Sequence, residues 1–167
     1  IYSDPLCVPY QWPTGVEREI AGLIAAWLAG GRARSIVDSA QRLLAGLSSD
    51  GRFSLRESIE DRSVADLNEA LEGFRYRWID TPTMVAALHA LGHETRRSGS
   101  PLRAVGVYDD PTKPTLIAAV EGFSSALEEI ARKTLVDVGA PERSFRALKW
   151  LLANPLRGGP AKRWMMW

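Results

Sequence analysis

His89 and His93 stand four residues apart, so on a helix their imidazoles share one face, a spacing that can ligate a metal. No Cys lies near them and Glu94 is the only adjacent acid, so His89 is expected to be a packed core histidine and no metal site is expected. Asp109-Asp110, Glu128-Glu129 and Glu60-Asp61 pair carboxylates of the kind that acid-base catalysis uses. Neighbours in sequence do not face each other on a helix, so capping and solvent exposure account for these pairs better. No Gly-x-Ser-x-Gly elbow, Walker-type loop or Gly-x-Gly-x-x-Gly phosphate loop occurs. Hydrolase, nucleotidase and dehydrogenase chemistry therefore lack their usual sequence warrant, and no cofactor is expected.

The stretch from Pro155 to Arg163 offers something different: a Gly-rich turn, Leu156-Arg157-Gly158-Gly159-Pro160, set between two helical patterns. Such a turn leaves backbone amides free at the start of the following helix, where they and the helix dipole can meet a phosphate. Gly158, Gly159 and Ala161 carry little or no side chain, so a nucleic-acid backbone could approach the main chain, flanked by Arg157, Lys162 and Arg163. A plain loop with incidental basic residues fits the same composition, and residue types alone leave both readings open. The charge distribution bears on the choice. Residues 1–133 hold 15 basic and 18 acidic groups, whereas 134–167 hold six basic groups, Lys149 among them, and two acidic ones. A basic end on a faintly acidic body suits an anionic partner. Trp150, Trp164 and Trp167 gather at that end, where an aromatic can stack on a base, although packing between helices is the stronger expectation for them.

Gly158-Gly159-Pro160-Ala161-Lys162 resembles the hairpin of the helix-hairpin-helix DNA glycosylases, in which Gly, any residue, Gly and any residue precede a catalytic Lys. Here Gly158 and Lys162 match, and Pro160 stands where the second Gly is expected. Over most of its length the chain is also similar to an uncharacterised bacterial family related to those glycosylases. The landmarks of that likeness are Asp4-Pro5-Leu6, the run Glu17-Arg18-Glu19-Ile20-Ala21-Gly22 leading to Gly30, the segment Phe74 to Trp78, and Lys162-Arg163. The resemblance implies base excision on duplex DNA bearing a damaged base or an abasic site, with the Lys162 amine forming a Schiff base with the sugar. It implies DNA contacts at Lys149, Arg157, Gly158, Gly159, Ala161 and Arg163. A free Lys, with a pKa near ~10.4, is almost fully protonated at neutral pH, so such a site must lower it; Arg157, Arg163 and the positive end of the last helix are the candidates. Those glycosylases also use an Asp downstream of the hairpin, and the sequence stops at Trp167 before one occurs. With a start at Ile1, the chain is expected to be a fragment truncated at its C-terminus. A non-catalytic nucleic-acid-binding helical module and a helical protein-interaction domain are the rival readings.

The elements that must position these residues read as helix almost throughout. Ile20, Leu23, Ile24, Trp27 and Leu28 recur at helical spacing behind Glu17 and Glu19, acids that suit a first turn. Ile36, Val37, Ala40, Leu43, Leu44 and Leu47 mark a second amphipathic helix, ended by Ser48-Ser49-Asp50-Gly51. Ser63 with Asp66 signals the start of a third, and Thr81-Pro82 of a fourth with Thr81 as its cap. Phe74 to Trp78, lying between helices, is expected to be a helix terminus or tight connection and not a strand. Residues 101–111 are expected to hold a short turn of structure, 115–133 a long helix buried through Phe123, Leu127 and Ile130, and Phe145 to Leu152 another. At 167 residues and 46% apolar, the chain predicts one all-α helical bundle over 1–167 with the helix-hairpin-helix element at about 141–167. No apolar run reaches the roughly 20 residues of a membrane span. The lone Cys7 fits a reducing compartment, and a cytoplasmic location is expected.

Overall fold

Two helices carry apolar side chains on nearly every side, and these two lie in the middle of the fold. In the computed structural model, which describes residues 4–13, 15–48, 54–109, 111–112 and 115–152, they are α2 (Val16–Leu28) and α6 (Thr81–Ser98). All nine residues from Ile20 to Leu28 are buried, as are eleven of α6. A helix that is apolar all round has no solvent face and must be enclosed by others. Around α2 lie α1 (Cys7–Tyr10), α3 (Ala33–Leu47), α4 (Leu55–Glu60) and α7 (Pro101–Val107). Around α6 lie α4, α5 (Val64–Ala70), α7, α8 (Leu116–Asp137) and α9 (Glu142–Leu151). The result is an all-α bundle with one contiguous apolar core, plus a two-stranded antiparallel ladder of β1 (Arg75–Tyr76) and β2 (Ile79–Asp80).

The outer helices follow their patterns. In α3 the six residues expected on the inner face are the buried apolar ones, and Ser63 and Asp66 form a reciprocal capping box on α5. Phe123 and Leu127 are fully buried in α8, while Ile130 is half-buried against the core.

Several boundaries differ from the sequence expectation. The cap of α6 is Asp80, not Thr81: its Oδ1 accepts from the Thr83 backbone N–H at 3.2 Å, and Thr81 sits one residue inside the helix. Thr81 Oγ1 instead donates to the carbonyls of Leu71 and Phe74. The short α4 was not expected, yet Ser54 and Glu57 close a capping box on it. Residues 101–107 form a true helix, α7, capped by Ser100. Glu17 and Glu19 lie in the first turn of α2 as expected, but their carboxylates also reach other helices. Glu17 accepts from the Leu55 and Arg56 N–H groups at the start of α4 (2.9 and 3.1 Å), and Glu19 from Leu102 N–H at the start of α7 (3.0 Å). Two of the acid pairs are engaged in ion pairs: Glu60 with Arg56, Asp61 with Arg96, and Glu128 with Arg132.

Candidate nucleic-acid interface

The segment Phe74 to Trp78, expected to be a helix terminus or tight connection and not a strand, instead contains strand β1 and turns into a hairpin, with Arg75 facing Asp80 and Tyr76 facing Ile79 across the ladder. Arg77 and Trp78 are the two residues of its turn. Among the described non-glycine residues Arg77 alone has a positive φ, +57°. Two bonds fix the hairpin to the turn between α2 and α3. The Tyr76 hydroxyl and Arg77 Nη1 both donate to the Gly30 carbonyl at 2.8 Å. A side chain at Gly31 would come within 2.9 Å of the Tyr76 hydroxyl, so the close approach depends on glycine.

From this anchor Trp78 projects with 45% of its surface exposed. The Arg77 guanidinium lies over its ring at 4.6 Å from the centroid, and Trp150 of α9 meets it edge-on, centroids 4.7 Å apart at 81°. Asp80 joins the hairpin to α9: Ser144 Oγ donates to its carboxylate at 2.9 Å and Arg143 Nε approaches at 3.4 Å. Burial pushes the Asp80 carboxyl up, but the bonds from Thr83, Ser144 and Arg143 together outweigh it and hold the group below its ordinary value. Asp80 stays ionised, and its charge is already taken up by these donors.

The outward face of α9 is cationic. Arg143, Arg146 and Lys149 are exposed at three-residue spacing, and Trp150 is half-buried on the same side. Among the described residues Arg146 and Lys149 make no ion pair. With exposed Arg75 and Arg77 they form a basic surface carrying an exposed indole; Glu142, also exposed, begins the same helix. Of the residues expected to contact DNA, Lys149 lies on this surface. Lys162, expected as the nucleophile, and Arg157, Gly158, Gly159, Ala161 and Arg163 lie outside the described residues, as do Trp164 and Trp167. The sequence reading gave no role to Arg75, Arg77 and Trp78 and did not single out Arg143 and Arg146. The repeat of basic residues at 143, 146 and 149 was the available signal.

The histidines do not converge. His89 is half-buried with Nδ1 3.1 Å from Thr134 Oγ1, and burial, with the nearby His93, depresses its pKa. His93 is exposed and lies beside Glu94. Among the described residues no three His, Cys, Asp or Glu side chains gather into a metal site. Glu94 is a buried carboxylate held by Arg97 Nη2 (2.6 Å) and the Tyr108 hydroxyl (2.9 Å). Burial would raise its pKa, but these bonds keep it low, while burial and the Glu94 carboxylate push the Tyr108 hydroxyl up to about 12. The cluster ties α6 to the end of α7 and is a structural clamp. Asp4-Pro5-Leu6 and Arg18-Glu19 meet in a cleft of about 490 Å³ beside Gly15 and Gly22. The cleft extends along α2 from Gly15 to Ala26.

A family model described as "Protein of unknown function (DUF2400)" matches residues 4–167, and the chain belongs to this family. No curated protein and no solved structure matches it.

Proposed function

We propose that this DUF2400 member is a duplex-DNA-binding protein of the base-excision type, related to the helix-hairpin-helix glycosylases. It acts on a damaged base or an abasic site through the amine of Lys162. The observation that carries the reading is the cationic face of α9, Arg143, Arg146 and Lys149, beside the hairpin cations Arg75 and Arg77. The helix that carries this face precedes the Gly-rich segment in the sequence, and that segment holds three further basic residues, Arg157, Lys162 and Arg163. In the proposed reaction the Lys162 nitrogen bonds to C1′ of the deoxyribose. The bond from C1′ to the base breaks with its electron pair on the base, the ring opens, and the two amine protons end on the base and on O4′. An imine remains. The lone cysteine, and the absence among the described residues of any helix long and apolar enough to cross a membrane, fit a cytoplasmic protein.

Binding is tested by titrating the protein onto a duplex oligonucleotide at several salt concentrations. Each phosphate contact contributes about −0.9 to the slope of log affinity against log salt. Replacing Arg146 and Lys149 together by Glu is expected to flatten the slope by about two units and to weaken binding on the order of tenfold or more at low salt. No binding at low salt, or an unchanged slope in the double variant, would contradict the reading.

A further inference from the structure

The hairpin turn breaks the rule its geometry sets. The favoured two-residue connections between antiparallel strands take a positive φ at their first position, and where only that residue is positive, Gly is the residue that fits best. This chain places Arg77 there at +57°, followed by a Trp. Local sequence that opposes local backbone is retained where the side chains have a task, and both side chains here are exposed at the surface. The Tyr76 and Arg77 bonds to Gly30 on one side, and the Asp80 bonds to Ser144 and Arg143 on the other, fix the strained turn in place. The Trp150 ring packs against the Trp78 ring at 81°.

We propose that Arg77 and Trp78 form a stacking element for an unstacked nucleobase. An exposed indole accepts the flat face of any base, and Arg75, Arg77, Arg143, Arg146 and Lys149 supply the charge that holds the adjoining phosphates. The element rests on the DNA-binding reading above and adds a preference to it: nucleic acid with a base free of its neighbours is bound in favour of a fully stacked duplex. Two sources present that chemistry, a single strand and a duplex interrupted by a gap in the base stack.

The test compares an intact duplex, the same duplex with one tetrahydrofuran abasic analogue, which no amine can open into an imine, and the single strand alone. The variants are Trp78→Ala, Trp78→Phe and the double variant Arg77→Gly/Trp78→Ser, whose Gly-Ser turn suits the hairpin and so protects the fold. The wild type is expected to prefer one or both unstacked probes over the intact duplex by on the order of 5- to 100-fold. Trp78→Phe should keep most of the preference. Trp78→Ala and the double variant should lose it; Trp78→Ala should alter intact-duplex affinity by less than about threefold, whereas the double variant, which also removes the Arg77 cation, should weaken binding to all three probes together. Preference for the gapped duplex alone identifies a lesion-type source, and preference for the single strand alone identifies the other. A wild type that binds duplex with no preference, or a Trp78→Ala that keeps the preference, overturns the stacking element and leaves the DNA-binding reading standing. Failure to bind all three probes overturns both.

Discussion

Gly92 lies where α6 passes under the end of α4. A Cβ built there would stand 1.7 Å from the Ile59 carbonyl oxygen, 2.5 Å from its carbon and 3.2 Å from Glu60 N. The obstruction is backbone, so no rotamer change relieves it, and α4 must move by about 1.5 Å to restore ordinary contact. Overpacking costs ~1–3 kcal/mol, and a clash with an immovable carbonyl belongs at the upper end, about 3. Ala gains about 1 kcal/mol over Gly in a helix interior, so Gly92→Ala should destabilise by about 2 kcal/mol net. In a chain of this size that lowers Tm by about 4–8 °C. Gly106, with nothing within 4 Å of its Cβ position, supplies the control: Gly106→Ala should be neutral or stabilise by up to ~1 kcal/mol. Gly46, whose Cβ would meet the Ala70 carbonyl oxygen at 2.8 Å, should fall between them. Urea unfolding followed by far-UV circular dichroism ranks the three, with the slope of stability against urea unchanged. A Gly92→Ala protein as stable as Gly106→Ala would refute the close packing of α4 on α6.

Asp80→Ala removes the α6 cap and the acceptor for Ser144, and should cost about 2 kcal/mol, read as a lower urea midpoint. Because the folded-state pKa of Asp80 and of Glu94 is depressed, the stability each contributes is complete above the ordinary carboxylate pKa and is lost as pH falls through the folded value. The wild-type urea midpoint should begin to fall as pH drops below about 6.5, where the unfolded chain but not the half-buried His89 takes up a proton, and should fall further below about 4 as the carboxylates protonate. Glu94→Gln should cost about 1–2 kcal/mol at neutral pH, by weakening the acceptor for Arg97 and Tyr108, and should narrow the drop in acid. An acid profile identical in the two proteins would remove Glu94 from the account.

What was legible in the sequence was what is local and periodic. The apolar stripe of α3, the capping box at Ser63 and Asp66, and the long α8 all rest on spacings within one element. The same signal was present at Ser54 and Glu57, but no apolar run long enough to attract attention follows it, and α4 was missed. At Asp80-Thr81 two good caps stand side by side, and only the packing of α9, which adds Ser144 and Arg143 to the carboxylate, separates them. The hairpin was passed over because its turn carries Arg-Trp in place of the Gly that marks such turns. As for the interface, the basic residues of α9 could be counted in the sequence. That Trp150 would leave the apolar side of α9 to meet Trp78, and that Gly30 would receive both Tyr76 and Arg77, depends on contacts between distant segments that carry no local mark.

The central claim is covalent chemistry on DNA at Lys162, and borohydride trapping tests it most directly. The protein and its Lys162→Ala variant are incubated with duplexes bearing an abasic site or an oxidised purine, borohydride is added, and the products are resolved under denaturing conditions. The account predicts a reduced protein-DNA adduct with the wild type and none with the variant. No adduct from a wild type that still binds duplex in a salt-sensitive way would contradict the chemistry and make the protein a non-catalytic DNA-binding module.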